Sequence, residues 1–454
     1  MQTPPSHGHH LWLPFTPNRD FRQAPRVLVG ADGMHFTTQE GQRVLDGISS
    51  LWCVGAGHNR APINEAIKKQ LDTLDYATAF QFGNDRAFEA ADMLAALAPG
   101  DLNRVFFCTS GSEAADTSLK MALAYHRACG QAQRTVFIGR ERGYHGVGFG
   151  GMSVGGIGPN RKQFGALLPY VDHLPHTHLP AKNSYCRGEP PHGAELADVL
   201  ENLVALHGAE TIAAVMVEPV AGSTGVLVPP VGYLKRLRDI CTKHGILLIF
   251  DEVITGFGRL GANFGAERLG VVPDIMTMAK GLTNAAVPMG AVAVKNEIYD
   301  AIVTGTSAGI EFFHGYTYSS HPVGAAAALA NLDIIESEGL VAKAAETGTY
   351  LQARLRDAFV GHSLVGEVRG QALIAAVEFV DRIEDSGPVA FDPALKVAPR
   401  IVKGALARGV IGRALPSSDA VAFSPPFVIS RAEIDKAVMA FRDAADEVAK
   451  ELGR

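Results

Sequence analysis

The sequence predicts an α/β fold built on a mostly parallel sheet, and three observations lead there. Compact apolar runs recur without the polar alternation of a half-exposed strand, at Val105–Cys108, Thr135–Ile138, Ala213–Val217, Ile246–Phe250, Ile275–Met278 and Ala291–Val294. Strands covered on both faces have that pattern. Helical periodicity lies between the runs, at Glu113–Ala128 and at Gly232–His244, where Leu234, Leu237, Ile240 and Cys241 share one side. Strand and helix in alternation build an α/β sheet. The chain has 454 residues, beyond the size at which one core usually stops growing, so a second, smaller domain is expected.

The remaining elements follow in order. The turn-rich segment 1–60 is expected to pack with the small domain, and residues 61–330 form the large one. Val323–Ser337 is an Ala-rich helical stretch at its end. Residues 331–454, with charged helices near Val341–Phe359 and Arg431–Leu452, form the small domain. Asp172–Gly193, rich in His, Pro and Gly, reads as a loop.

Composition excludes several classes. With 47% apolar and 19% charged residues the chain is globular. A formal net charge of −6 argues against a nucleic-acid or anionic-membrane surface. The cysteines number five, an odd count, and none forms a C-x-x-C pair, so a disulfide framework or structural zinc site is not expected and a reducing cytoplasm fits. Met1–His10 lacks the apolar stretch of a signal peptide, and no apolar run approaches membrane-spanning length.

Two opposite charges mark the candidate site. Asp251 ends the apolar run Ile246–Phe250, and Lys280 follows the run Ile275–Met278 after Ala279. Ligands of open α/β sheets bind beyond the carboxyl ends of strands. A structural salt bridge is the plain alternative, but Gly256, Gly258 and Gly281 crowd the pair with more glycine than an ion pair needs. Pyridoxal-phosphate (PLP) chemistry asks for this arrangement: a lysine that bonds to the cofactor aldehyde, and a carboxylate that keeps the pyridine nitrogen protonated so that the ring accepts electrons. General-base action further requires a neutral Lys280, held by burial and the cationic cofactor below the ordinary value of about 10.4.

A phosphate site is expected as well. Thr109–Ala114 follows a strand and opens a helix, where Gly111, Ser112 and free backbone N–H groups suit an anion. The alternative there is an ordinary cap, Ser110 with Glu113. Tyr144, just past the strand Thr135–Ile138, is placed to stack on a planar ring.

With these residues collected, the chain resembles the class III aminotransferases of the fold type I PLP enzymes over nearly its whole length. The most specific match is Ile249-Phe-Asp-Glu-Val-Ile-Thr-Gly-Phe-Gly-Arg259 followed by Ala279-Lys280-Gly281. Within that family it looks most like the ω-amino acid–pyruvate (β-alanine–pyruvate) aminotransferases. The segments that carry this are Leu13–Arg19, Leu51–His58, Asp172–Thr177, Val217–Gly222 and His314–Ser319.

The resemblance implies a mostly parallel seven-stranded sheet in the large domain and a smaller α+β domain from the two chain ends. It implies PLP bound through Lys280, with Asp251 on the pyridine nitrogen, Val253 and Tyr144 on the two ring faces, and Gly111 and Ser112 on the phosphate. Glu218 stands near Asp251 and the cofactor oxygen; Thr317 reaches the phosphate of a neighbouring subunit, which makes the protein a homodimer or a tetramer of paired dimers. Trp52, Phe15 and Phe80 line the substrate pocket and Arg413 binds a carboxylate. Where some relatives carry a polar substrate-facing residue, Asp419–Phe423 offers Ala422, which weighs against β-alanine in particular.

The activity implied is ping-pong transfer of an amino group from an ω-amino acid or amine to pyruvate, giving L-alanine. The alternatives are another class III enzyme (a γ-aminobutyrate, taurine or diamine transaminase, an aminomutase, a dialkylglycine decarboxylase-like enzyme), a nucleotide site at Gly146, Gly148 and Gly151, and a metal site at His173, His176, His178 and Cys186. The glycines lack the acidic residue of a dinucleotide fold, and the histidine spacing is irregular, so no metal is expected.

Overall fold

The computed structural model describes residues 10–165, 167–307 and 309–454. The polar start read at Met1–His10 lies, apart from His10, outside the described residues.

A seven-stranded sheet forms the centre. Its strands are β1 (Arg104–Cys108), β2 (Val136–Arg140), β3 (Val171–Leu174), β4 (Ile212–Val217), β5 (Leu247–Asp251), β6 (Ile275–Met278) and β7 (Gly290–Val294). The order is β1-β7-β6-β5-β4-β2-β3. Only β7 runs against the rest, pairing antiparallel with both β1 and β6. The three middle strands β4, β5 and β6 are buried at every position, which is why their sequences are apolar runs broken only by Thr277 and the closing Asp251.

Six of the seven match the expected runs to within two residues. The seventh, β3, overturns the reading of Asp172 and His173 as loop. It is a four-residue edge strand, half-buried and carrying two polar residues, so it has no apolar run to betray it.

Helices cover both faces. The first long one, α1 (Gly111–Ala128), is capped by Ser110, whose hydroxyl accepts from the Glu113 N–H at 3.2 Å. In α2 (Tyr233–His244) the expected face Leu234, Leu237, Ile240 and Cys241 is buried, each larger side chain contributing about 1.5–3 kcal/mol. Gly245 ends that helix at φ +63°. The Ala-rich α3 (Pro322–Ser337) packs against the helices Ala61–Thr73 and Asp85–Leu97, its small side chains allowing close approach.

The two chain ends meet. Strands Leu28–Asp32, His35–Thr38 and Arg43–Asp46 form a sheet that Val410–Ile411 joins in parallel. A further sheet contains Val365–Gln371, Ile374–Phe379, Ala420–Phe423 and Arg413–Ala414. Against it pack α4 (Leu340–Phe359) and α5 (Arg431–Glu451), the latter opened by a reciprocal cap between Ser430 and Glu433. Among the described residues no helix is long and apolar enough to cross a membrane.

Candidate active site

Five parallel strands deliver functional side chains to one edge of the sheet. Beyond β1 come Gly111 and Ser112, beyond β2 Tyr144, beyond β4 Glu218, at the end of β5 Asp251, and two residues past β6 Lys280. All of them line one cleft of about 420 Å³, with Trp52, Val253, Arg413 and Phe15. Ten of the twelve residues singled out in the sequence therefore meet in one place.

Lys280 is half-buried there, with backbone φ +45°. Ser49, Ser50 and Trp52 also have positive φ. Strained backbone of this kind persists where the surrounding structure holds it. Burial lowers the Lys280 ammonium below the ordinary lysine value, while Cys53, Asp251 and Glu218 pull the other way. A lysine eased toward its neutral form is what a nucleophile and base requires.

Asp251 is gripped from two sides. One oxygen accepts from the Val253 N–H at 3.1 Å and the other lies 2.8 Å from His145 Nδ1. Sequence reading passed over His145, because its partner lies 106 residues away and no local pattern marks the contact. Its other ring nitrogen, Nε2, is buried without a partner.

Glu218 spends both carboxylate oxygens on backbone, accepting from Tyr144 N–H at 2.6 Å and Gly222 N–H at 3.0 Å. It thereby ties the Tyr144 loop to the end of β4. Burial pushes its carboxyl up, opposed by His145. Glu252, next to Asp251, faces away from the cleft. It is fully buried and bonds the N–H groups of Gly265 (2.8 Å) and Ala266 (2.6 Å) together with the Thr255 hydroxyl. Burial pushes this carboxyl up to about 7.

At the N-terminus of α1 both sequence readings hold. Ser110 caps the helix, but Glu113 turns to the N–H and hydroxyl of Thr109 (2.7 and 2.8 Å) instead of completing a box. Gly111 and Ser112 stay free to face the cleft. A Cβ on Gly111 would lie 3.0 Å from a Val253 methyl. Ser112 Oγ accepts from the Val147 N–H at 3.1 Å. Gly146, at φ +91°, passes so near that a Cβ would lie 2.4 Å from the same oxygen. The glycines at 146–151 thus pack a turn onto α1, with the Gly151 N–H on Asp116 at 2.7 Å, rather than build a nucleotide loop.

Arg413 lies over the Trp52 indole at 5.1 Å, and Lys280 Nζ stands 5.6 Å from the same ring centre. Burial lowers the Arg413 guanidinium from the ordinary arginine value. Among the described residues it pairs with no carboxylate, and its Nε is buried without a partner. Ile254, Asn160 and Ser223, which the sequence did not single out, complete the walls.

Two of the residues lie outside this chain's own cleft, and one reading needs correction. Phe80 does not line the cleft of its own chain; it is 54% exposed and lies against Gly315. Thr317 is exposed beside it, its carbonyl accepting from the Tyr76 hydroxyl at 2.8 Å. Ala422 does not face substrate. It is fully buried, paired across the strands with Arg413 and packed in the same apolar cluster as Trp52. Its small size therefore says nothing about the donor.

The histidines of the 173–186 segment are spent on structure. His173 Nε2 lies 3.0 Å from the Gly155 carbonyl, and His178 Nε2 lies 2.9 Å from Glu367. Among the described residues the one cluster of ligand type is His178, Glu367 and Glu378, and Arg369 already bonds both carboxylates.

The residues fit PLP on this structure's own geometry. A depressed lysine, an aspartate held by a buried histidine, a helix N-terminus with a glycine and a hydroxyl, and an aromatic at the cleft wall are the groups that cofactor needs. Fold and site together define a PLP-dependent enzyme with a lysine past a central strand.

Comparison with known proteins narrows the class. The family model "Aminotransferase class-III" matches residues 17–445. An omega-aminotransferase of Caulobacter vibrioides is 53% identical over 96% of this chain and 97% of its own. A beta-alanine–pyruvate aminotransferase of Pseudomonas aeruginosa is 51% identical over 85% of this chain and 86% of its own. Among solved structures, an amine transaminase from an uncultivated Pseudomonas species in its PLP-bound form superposes with a TM-score of 0.90 at 40% identity, covering 97% of this chain and 99% of that one. The chain belongs to the class III aminotransferases and is a PLP-dependent transaminase.

Proposed function

We propose that the enzyme transfers an amino group from an ω-amino acid of the β-alanine type, or a primary amine, to pyruvate, giving L-alanine by a ping-pong route. The observation that carries this is Arg413, a half-buried guanidinium that faces the cleft without a carboxylate partner and shares the Trp52 ring with Lys280. A keto-acid carboxylate supplies the missing partner through two parallel hydrogen bonds. The relatives named for ω-amino acids and for β-alanine with pyruvate support the same choice.

Roles follow for each residue. Lys280 would hold the cofactor through its amine and, as a neutral amine, would take the proton from the donor carbon. Bound PLP supplies an electron sink for that proton transfer. Asp251, held by His145, would keep the pyridine nitrogen protonated. Tyr144 and Val253 would confine the ring, Glu218 fixes the Tyr144 loop, and Gly111 and Ser112 would hold the phosphate. Trp52 and Phe15 shape the donor side.

The proposal includes a homodimer in which Thr317 and Phe80 complete the partner's cleft. The exposed strip of Tyr76, Phe80, Phe82, Phe313 and Tyr318 supports it, since so much exposed aromatic surface marks an interface. It also includes a cytoplasmic setting, supported by five free cysteines. The division of the chain at residues 60 and 330 is supported by the pairing of the two chain ends, although residue 330 falls within α3.

The test is L-alanine formation from pyruvate with β-alanine, γ-aminobutyrate, taurine and 1-phenylethylamine as donors. Lys280→Ala should lose the visible absorbance of lysine-bound PLP and essentially all turnover. Normal turnover in that variant, or no alanine from any donor, would overturn the proposal. A mixture of Lys280→Ala and Thr317→Ala chains tests the shared site, because a mixed dimer should lose cofactor affinity at one of its two sites.

A further inference from the structure

A second cleft, of about 320 Å³, shares no lining residue with the one that holds Lys280. Its walls come from distant parts of the chain. Arg268 ends the short helix Gly265–Arg268, Arg187 lies in the turn after Cys186, Gln352 and Arg356 project from α4, and Gln371 ends the strand Val365–Gln371.

The charge there is uncompensated. Three arginines and one aspartate, Asp357, give the lining a net charge of +2 in a chain whose net charge is −6. Asp357 is itself paired, 3.7 Å from Arg354. Among the described residues none of the three arginines pairs with a carboxylate. Arg356 donates only to the carbonyls of Cys186 (2.8 Å) and Gln352 (3.3 Å), and its Nε is buried without a partner. Burial lowers its guanidinium from the ordinary arginine value and nearby Arg187 adds to that. Glu189, near Arg268, is the next carboxylate, and burial pushes its carboxyl up.

The second observation is amide chemistry. Gln371 is only 6% exposed, yet its side-chain oxygen is buried with no partner. The oxygen of Gln352 is likewise unpartnered, while its nitrogen donates to the carbonyls of Ala372 and Ile374 at 3.1 Å each. Unmet buried acceptors are costly unless a donor arrives.

We propose that this cleft binds a small organic phosphate bearing hydroxyl groups, such as a sugar phosphate, with Arg187, Arg268 and Arg356 on the phosphoryl oxygens and Gln352 and Gln371 accepting from the hydroxyls. One guanidinium satisfies a carboxylate, whereas three guanidinium groups and a +2 lining match the charge and three oxygens of a phosphoryl group. Inorganic phosphate leaves the glutamine acceptors poorly served, and a hydroxyl-bearing carbon skeleton serves them. The volume of the cleft accommodates such a skeleton. The site stands independently of the transaminase reading.

The test is isothermal titration of the PLP-loaded enzyme with glucose 6-phosphate, glucose and inorganic phosphate. In that form Gly111 and Ser112 would already hold the cofactor phosphate. Saturable binding of one glucose 6-phosphate per chain is expected, with none for glucose. Affinity should fall ten-fold or more in Arg187→Ala/Arg268→Ala and stay unchanged in Arg413→Ala. Both replaced arginines are exposed, so cofactor absorbance and melting temperature should be retained. Should the double variant lose its absorbance, Arg187→Ala alone is read by the same criteria. Absence of saturable binding, equal affinity in the variant, or loss of binding in Arg413→Ala would each overturn the proposal. Equal affinity for inorganic phosphate would overturn the assignment to an organic phosphate.

Discussion

Replacing His145 by Phe should slow both halves of the reaction without expelling the cofactor. The His145 side chain is wholly buried and Asp251 is 6% exposed, so water cannot replace the lost contact at 2.8 Å. A hydrogen bond to a charged group contributes about 1.5–3 kcal/mol. At about 1.4 kcal/mol per factor of ten, kcat should fall ~10- to 150-fold. The loss stops short of that expected for Asp251→Asn, because the Val253 N–H still holds the second oxygen. The assay is stopped-flow absorbance of the cofactor, with an amine donor in one direction and pyruvate in the other. Both rates should drop by a similar factor, since one pyridine nitrogen serves both, and the pH–rate profile should shift. His145→Gln, which retains an N–H near the carboxylate, should recover part of the rate. A change under twofold in His145→Phe with an unshifted profile would refute the positioning role. Equal damage from Phe and Gln would assign His145 to packing alone.

Further outcomes follow from the same geometry. In Gly146→Ala a methyl meets Ser112 Oγ at 2.4 Å and the backbone keeps φ +91°. A strain of about 1–3 kcal/mol there should weaken cofactor binding ~5- to 150-fold, measured by titrating the cofactor-free protein with PLP. Arg413→Ala should lower kcat/KM for pyruvate by ~10- to 150-fold, the worth of a charge-assisted contact. The half-reaction of 1-phenylethylamine, which has no carboxylate, should change far less. Lys280 gives a stability prediction with a definite sign. Its folded value is depressed, so the burial penalty is full below that value and is relieved as pH rises toward the ordinary 10.5. Cofactor-free Lys280→Met should therefore melt higher than the native apoprotein near pH 7, and the gap should narrow toward about pH 10, as read by thermal denaturation.

The parts of the site legible in the sequence are those that a strand end carries. Asp251 and Lys280 stand out because the preceding residues of β5 and β6 are apolar apart from Thr277, so a charge at their ends has to face either the cleft or a partner. Gly111 and Ser112 were legible for a similar reason, since a helix that follows a strand so closely exposes its first N–H groups at the same edge. What stayed hidden depends on contacts between distant segments. His145 meets Asp251 across 106 residues, Arg413 near one chain end reaches Trp52 near the other, and β3 has too few apolar residues to announce a strand.

Ala422 shows the converse error. A position taken from the resemblance to face substrate is instead paired directly with Arg413, so it lies beside the arginine on the same sheet face and is fully buried. The same geometry bears on specificity. Ala422, Trp52 and Val220 pack in one cluster that backs both the arginine and the indole. Enlarging Ala422 would therefore act on the carboxylate site by displacing Arg413 and Trp52 together, not by touching substrate. Donor preference has to be sought instead in the walls that meet the cleft directly, at Ser223, Asn160 and Ile254.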